Sequence, residues 1–436
     1  MSVWFFTCLL TAQADPLPSI PFETYKLENG LNVILSEDHS IPSVQVNIWY
    51  GVGSKDETTG LTGFAHLFEH LMFQGSENYN MDYFNALEEI GASVNGTTSF
   101  DRTNYYEGVP SNHLPLALWI ESDRMGWLLP ALTEEKLQNQ KEVVRNERRQ
   151  SYEIRPFGRV WMWLFENLYP QGHPYHVPTI GKHEDIANAQ MDDVTAFFKK
   201  WYQPSNASLV ICGDFNPSQA KELVQKYFAE IPNNNTPTPL MSMEPVVLKE
   251  NKIVRKTDKV PYSKVWIAWL SPPLFAPGDA EMDILSTLLS EGKDSRLHKA
   301  LIEEKGLAKD VAAYQYSTQL QSQYMIEATV ATGKTSDEVV SAIEEVLKEF
   351  SASEEEVRVA KYNWEARFYQ NLTTIARKSD MLNNYYMRTG DAGYIQKDLQ
   401  RYLDVSADSI DQTFQKVILN SKRVYLHVTP EPKEAQ

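Results

Sequence analysis

The chain has 436 residues, 42% of them hydrophobic and 23% charged, and a formal net charge of −17. That length exceeds one ordinary hydrophobic core and predicts two domains. The acidic balance, with no basic patch, argues against a nucleic-acid partner, and no later stretch is long and apolar enough to span a membrane.

Residues 1–14 read as a short secretory leader: 3–11 is apolar and Ala12-Gln13-Ala14 precedes Asp15, although no Lys or Arg stands before Lys26. Export to the periplasm or beyond the cell is the expectation, a cytoplasmic chain the alternative. Cys8 would leave with the leader. Cys212 then stands alone in a buried-strand pattern, so no disulfide is expected. Asn29-Gly30 marks a hairpin, and Val44, Val46, Ile48 and Tyr50 alternate as in a strand.

Residues 61–73 carry an apolar helical period and contain His66-Leu67-Phe68-Glu69-His70. On a helix, His66 and His70 at i and i+4 leave the same face one turn apart. Two ring nitrogens so spaced reach one zinc ion at roughly 2.0–2.1 Å. Glu69, on the same face, stands where it takes a proton from a water at the metal. Phe64, Phe68, Leu71 and Met72 make most of this helix apolar and predict its burial. Buried histidines and a glutamate need partners, and a metal supplies them. The order His-x-x-Glu-His is that of the inverzincins.

A catalytic zinc needs a third protein ligand. Residues 133–155 are the candidate source: a helix with Thr133 as N-cap, Glu134 and Glu135 in its first turn, and no Gly or Pro before Pro156. By its own residues, Glu147 there reads as an exposed carboxylate in a charged run. His173 and His176 read as loop residues, since Pro174 interrupts them. A turn-rich linker over 231–239 divides the chain. The second side repeats the pattern of the first: a strand at 265–270, a helix at 280–289, and a late strand at 424–428 matching 209–212, without the histidine motif.

In sum of motifs the chain resembles the pitrilysin/insulinase family, in its short branch similar to processing peptidases. The resemblance is carried by the histidine motif and by Val143-Val144 ahead of Glu147, with 76 residues between His70 and Glu147. Further landmarks are Asn95-Gly96-Thr97, Thr103-Asn104-Tyr105-Tyr106, His173-Pro174-Tyr175, Tyr202-Gln203-Pro204-Ser205-Asn206-Ala207, Ser295-Arg296-Leu297 and Lys305-Gly306-Leu307-Ala308. It implies an α+β fold of two similar domains, each a mixed β-sheet packed with α-helices: 15–230 zinc-binding, 231–245 linker, 246–436 without metal. It implies one Zn2+ on His66, His70 and Glu147, with Glu69 as general base of an endopeptidase that takes extended peptides. Asn95, Gly96 and Thr97 would lie on the edge strand that pairs with substrate. Gln140 stands where many members carry a second glutamate, and would tune the zinc without charge.

One departure stands out. Active members use an Arg and a Tyr, seven apart, from a non-metal domain; here Ile302 and Lys309 occupy those positions. The expectation is a heterodimer with a similar-fold subunit that brings the pair. The alternative is a non-catalytic structural or peptide-binding subunit of the same fold.

Overall fold

The computed structural model describes residues 18–233 and 241–432. The leader expected at 1–14, with Cys8, and residues 234–240 of the expected linker lie outside the described residues. Gly30, at φ 94°, turns β1 (Glu23–Lys26) onto β2 (Asn32–Glu37), as the Asn-Gly pair predicts. With β3 (Ser43–Tyr50), β4 (Ser93–Thr98), β5 (Thr103–Pro110) and β6 (Ala207–Gly213) they form a six-stranded sheet, ordered β1-β2-β6-β3-β5-β4. Only β2 and β6 run parallel. β4 is an edge, paired with β5 alone.

The second sheet is ordered β7-β11-β8-β10-β9, from β7 (Lys252–Asp258), β8 (Lys264–Ser271), β9 (Ala308–Tyr316), β10 (Ser322–Val330) and β11 (Val424–Pro430). Again one pair is parallel, β7 with β11, and the rest are antiparallel. Strand for strand this repeats β2-β6-β3-β5-β4, so the chain is α+β and internally duplicated.

β3 alternates in sequence, yet it is buried along almost its whole length. Its apolar side packs Val44, Val46, Ile48 and Tyr50 into the first core beneath Phe64, Leu67, Phe68 and Leu71. Each such side chain contributes about 1.5–3 kcal/mol when fully buried. Its other side meets helix Ile375–Thr389 of the second half, where Asn383 Nδ2 donates to the Asn47 carbonyl at 2.9 Å. The alternation therefore separates two interior faces rather than a dry face from a wet one. The halves are also tied by Lys378 to Asp38 at 2.6 Å and by Tyr175, whose hydroxyl donates to Asp101 and accepts from the Leu320 amide. Cys212 is buried without a disulfide. Among the described residues no helix is long and apolar enough to cross a membrane.

Candidate metal centre

The helix bearing the histidines spans Phe64–Leu71, shorter than 61–73. Its start is fixed from outside. The Glu57 carboxylate accepts the amides of Gly63 and Ala65 at 3.0 and 2.8 Å, and Asp185 takes the Thr62 amide and hydroxyl. These acids satisfy amide donors that a helix N-terminus leaves unpaired and suit its positive end. Burial pushes the Glu57 carboxyl up to about 8, against the pull of its two amide bonds. Gly63 itself is left-handed, φ 84°, and touches Gly181 so closely that a Cβ on Gly181 would come within 2.3 Å of the Gly63 backbone.

The second element is helix Glu134–Arg148, begun as expected by Thr133, whose hydroxyl accepts the Lys136 amide at 3.2 Å. Arg148 donates to the Gly181 carbonyl at 2.8 Å. One loop thus ties the residue beside Glu147 to the start of the histidine helix.

The result is convergence. Glu147 Oε2 lies 3.7 Å from His66 Nε2 and 3.3 Å from His70 Nε2, and the three donor atoms all lie within 4.8 Å of one another. Burial drives His66 down to about 4, so its ring is neutral and its lone pair free. The hydrogen bond from His70 holds the Glu147 carboxyl below the usual carboxylate range. Among the described residues the buried His66 Nδ1 has no hydrogen-bond partner. Two imidazoles and one carboxylate are a donor set that suits Zn2+ with one position open. Side-chain exposure rises from 14% at His66 through 24% at His70 to 40% at Glu147, so the open side faces solvent past Glu147.

Glu69 is buried beside this set and accepts a hydrogen bond from the Thr98 hydroxyl. Burial raises its carboxyl above the usual range while Thr98 opposes the shift. Gly96 lies over it: a Cβ there would sit 3.2 Å from Glu69 Cγ and 3.1 Å from the Phe73 and Tyr105 rings. The β4–β5 hairpin closes with the Ser99 amide on the Arg102 carbonyl. Strand alternation then turns the backbone groups of Asn95 and Thr97 toward β5 and those of Val94, Gly96 and Thr98 to the open edge. Of Asn95, Gly96 and Thr97, only Gly96 offers its own backbone to a newcomer. Its amide is covered by Asn95 Oδ1 at 2.9 Å, and the Thr97 carbonyl is taken by Arg102 at 3.0 Å.

Gln140 is buried, two turns before Glu147 on the face of Val144. Among the described residues no hydrogen bond joins it to His66, His70 or Glu147. His173 and His176 lie in turns and bond to the local backbone, His173 accepting the Tyr175 amide and His176 meeting the Tyr169 carbonyl. Ile302 packs on the second core, and Lys309 stands 5.8 Å from the Tyr262 ring centre. Glu57, Asp185, Thr98 and Arg148 were not legible as site residues. Each acts across a tertiary contact and carries no local motif.

Two family models divide the chain: "Insulinase (Peptidase family M16)" over residues 32–169 and "Peptidase M16 inactive domain" over 188–363. The second begins ahead of the expected linker. The chain belongs to peptidase family M16. Among its M16 relatives is zinc protease PqqE of Helicobacter pylori, 30% identical over 418 residues, covering 94% of this chain and 93% of that protein. The crystal structure of a protease from Helicobacter pylori matches with a TM-score of 0.86 at 27% identity, covering 95% of this chain and 100% of that one. Pitrilysin shares the fold, with a TM-score of 0.79 at 18% identity; the match covers 95% of this chain but 45% of pitrilysin.

Proposed function

We propose that this chain is a zinc-dependent endopeptidase acting on extended or unfolded peptides, with zinc held by His66, His70 and Glu147. The observation that carries the reading is the convergence of those three donors, with Glu69 buried beside them. Zinc in such a site supplies Lewis acidity to the peptide carbonyl and to water. The chain's own groups do the rest. Glu69 takes a proton from the attacking water and returns it to the leaving amine, its basicity raised by burial and its carboxylate oriented by Thr98. An extended peptide adds as a strand to the open edge of β4, through the backbone of Val94, Gly96 and Thr98. Asn95 Oδ1 gives up the Gly96 amide as the peptide carbonyl arrives.

Ile302 and Lys309 provide no arginine fork or phenol for the developing oxyanion. The reading therefore includes a partner subunit of similar fold that supplies an Arg/Tyr pair. That the chain spans about half of pitrilysin supports two such chains closing on one substrate. Export to the periplasm stays part of this proposal, supported by the apolar start and Ala12-Gln13-Ala14.

The test is to purify the chain with any companion, measure its zinc content, and follow cleavage of an unfolded peptide by mass spectrometry with and without chelator. Zinc bound and chelator-sensitive fragments support the reading. Bound zinc without any fragments, companion present, would sink it and favour a non-catalytic peptide-binding subunit, the reading to which the lack of the Arg/Tyr pair points.

A further inference from the structure

Two of the three converging donors share a helix; the third comes from another. His66 and His70 sit one turn apart, so the helix itself fixes their spacing. Glu147 has no such tie. It stands at the end of helix Glu134–Arg148, where the α-helix gives way to a π-helix, Arg149–Ile154. Its distance from the imidazoles depends on whatever holds the two helices in register.

Residues 181–185 span that gap. On the histidine side, the Lys182 amide donates to the Thr62 hydroxyl at 3.1 Å, and Asp185 accepts the Thr62 amide at 3.2 Å. Gly181 and Gly63, left-handed at φ 70° and 84°, press backbone to backbone, and a Cβ on either would part them. On the glutamate side the same stretch has two holds. The Gly181 carbonyl accepts Arg148 Nε at 2.8 Å, and His183 Nε2 meets Glu153 Oε1 of the π-helix at 3.0 Å.

Arg148 joins those two holds. Its Nη1 donates to the same Glu153 oxygen that His183 meets, and its Nη2 lies 3.8 Å from Met162 Sδ. The side chain is only 14% exposed. A guanidinium carries its donors in one rigid plane, so a single arginine reaches a carbonyl and a carboxylate together; the single ammonium of a lysine does not fix both. Among the described residues Arg148 forms no ion pair with Glu147, its neighbour in the chain. Its grip falls on the place of the Glu147 backbone and not on the charge of the carboxylate.

We infer that Arg148 is a positioning residue for Glu147 as third zinc ligand: by holding Gly181 and Glu153 it clamps the Glu147 helix to the loop that also holds the histidine helix. The inference rests on the zinc reading and adds to it a determinant of metal affinity and geometry. Loss of a contact that orients a metal ligand lowers metal affinity about 10- to 100-fold.

The test uses the full-length protein with any co-purifying chain. Zinc affinity is measured by chelator competition for the wild type, Arg148→Met, Glu147→Ala and the double variant, and the visible absorption of bound Co2+ reports the coordination. Arg148→Met should weaken zinc at least tenfold. It should also lower the Co2+ absorption as the site relaxes toward higher coordination. In the Glu147→Ala chain the same change should leave zinc affinity unaltered, because the group it positions is gone. Unchanged affinity in Arg148→Met, or an equal loss in both backgrounds, would overturn the inference and leave the zinc reading standing. A wild-type chain that binds no zinc would remove the zinc reading and this inference with it. Should Arg148→Met fail to fold, Arg148→Lys is read in the same cycle by the same criteria.

Discussion

The two halves use one scaffold for opposite ends. In each, a helix follows the central strand and starts on a left-handed glycine: Gly63 before Phe64–Leu71, Gly278 before Asp279–Ser290. In each, a later helix begins on a hydroxyl cap, Thr133 or Ser353. Counting equally from those caps, Glu147 in the first half corresponds to Arg367 in the second. Glu147 faces two imidazoles across the helix pair. Arg367 instead forms an ion pair with Glu291, just past the end of helix Asp279–Ser290. The same packing of two helices brings a carboxylate onto two imidazoles or forms an ordinary salt bridge according to which side chains face each other. Architecture places the donors; it does not choose them.

The difference is broken most severely by His70→Ala. Zinc content should fall to near zero and peptide cleavage to background, because two ligands no longer hold the ion. Elemental analysis beside a turnover assay checks this. Glu69→Gln separates metal from chemistry: zinc stays, while turnover drops by about 10²- to 10⁴-fold. A variant with undiminished turnover would remove Glu69 from its role. Gly96→Ala presses a methyl on Glu69 and should lower kcat/KM about tenfold, because small displacements of a catalytic group are costly. Zinc content should stay unchanged, which separates displacement of Glu69 from loss of the metal donors.

Acid sharpens the comparison next. Burial pushes the His66 imidazole down to about 4 from its ordinary 6.5. Between those values the unfolded chain binds the extra proton, so the metal-free protein loses stability as pH falls from about 6.5 to 4 and levels off below. Urea midpoints with chelator present should show that slope, and His66→Gln should flatten it. The smallest effect concerns the tie between halves. Lys378→Met removes the partner that holds the Asp38 carboxyl near 2. The loss should be at most about 1 kcal/mol at pH 7, since the pair is partly solvated. A depressed carboxyl contributes above its unfolded value and ceases to as pH falls through its folded one. Wild type and variant should therefore converge as pH falls from about 4 to about 2.

His66, Glu69 and His70 were legible because a helix maps a spacing of four residues onto one face. Glu147 was not legible from its own surroundings: a carboxylate in a charged run reads as solvated. Only the family spacing singled it out. The apolar period runs three residues past the observed helix at its start and two past it at its end, because Glu57, which caps the start, lies outside the helical period. Asn95, Gly96 and Thr97 read as equivalent members of an edge strand. Strand alternation makes them unequal, and that follows from the hairpin register rather than from residue type.

The sequence by itself determined the elements, the duplication and two of the donors, because helix and strand periods and turn residues act over a few positions. The tertiary structure decided the third donor's approach, the cap on the histidine helix, which backbone groups of β4 stand free, and the loop that clasps the histidine helix to the Glu147 helix. Each of these joins side chains or backbone groups distant in the chain. Burial, close packing and hydrogen bonding across those distances settle them together, and no local pattern records the outcome.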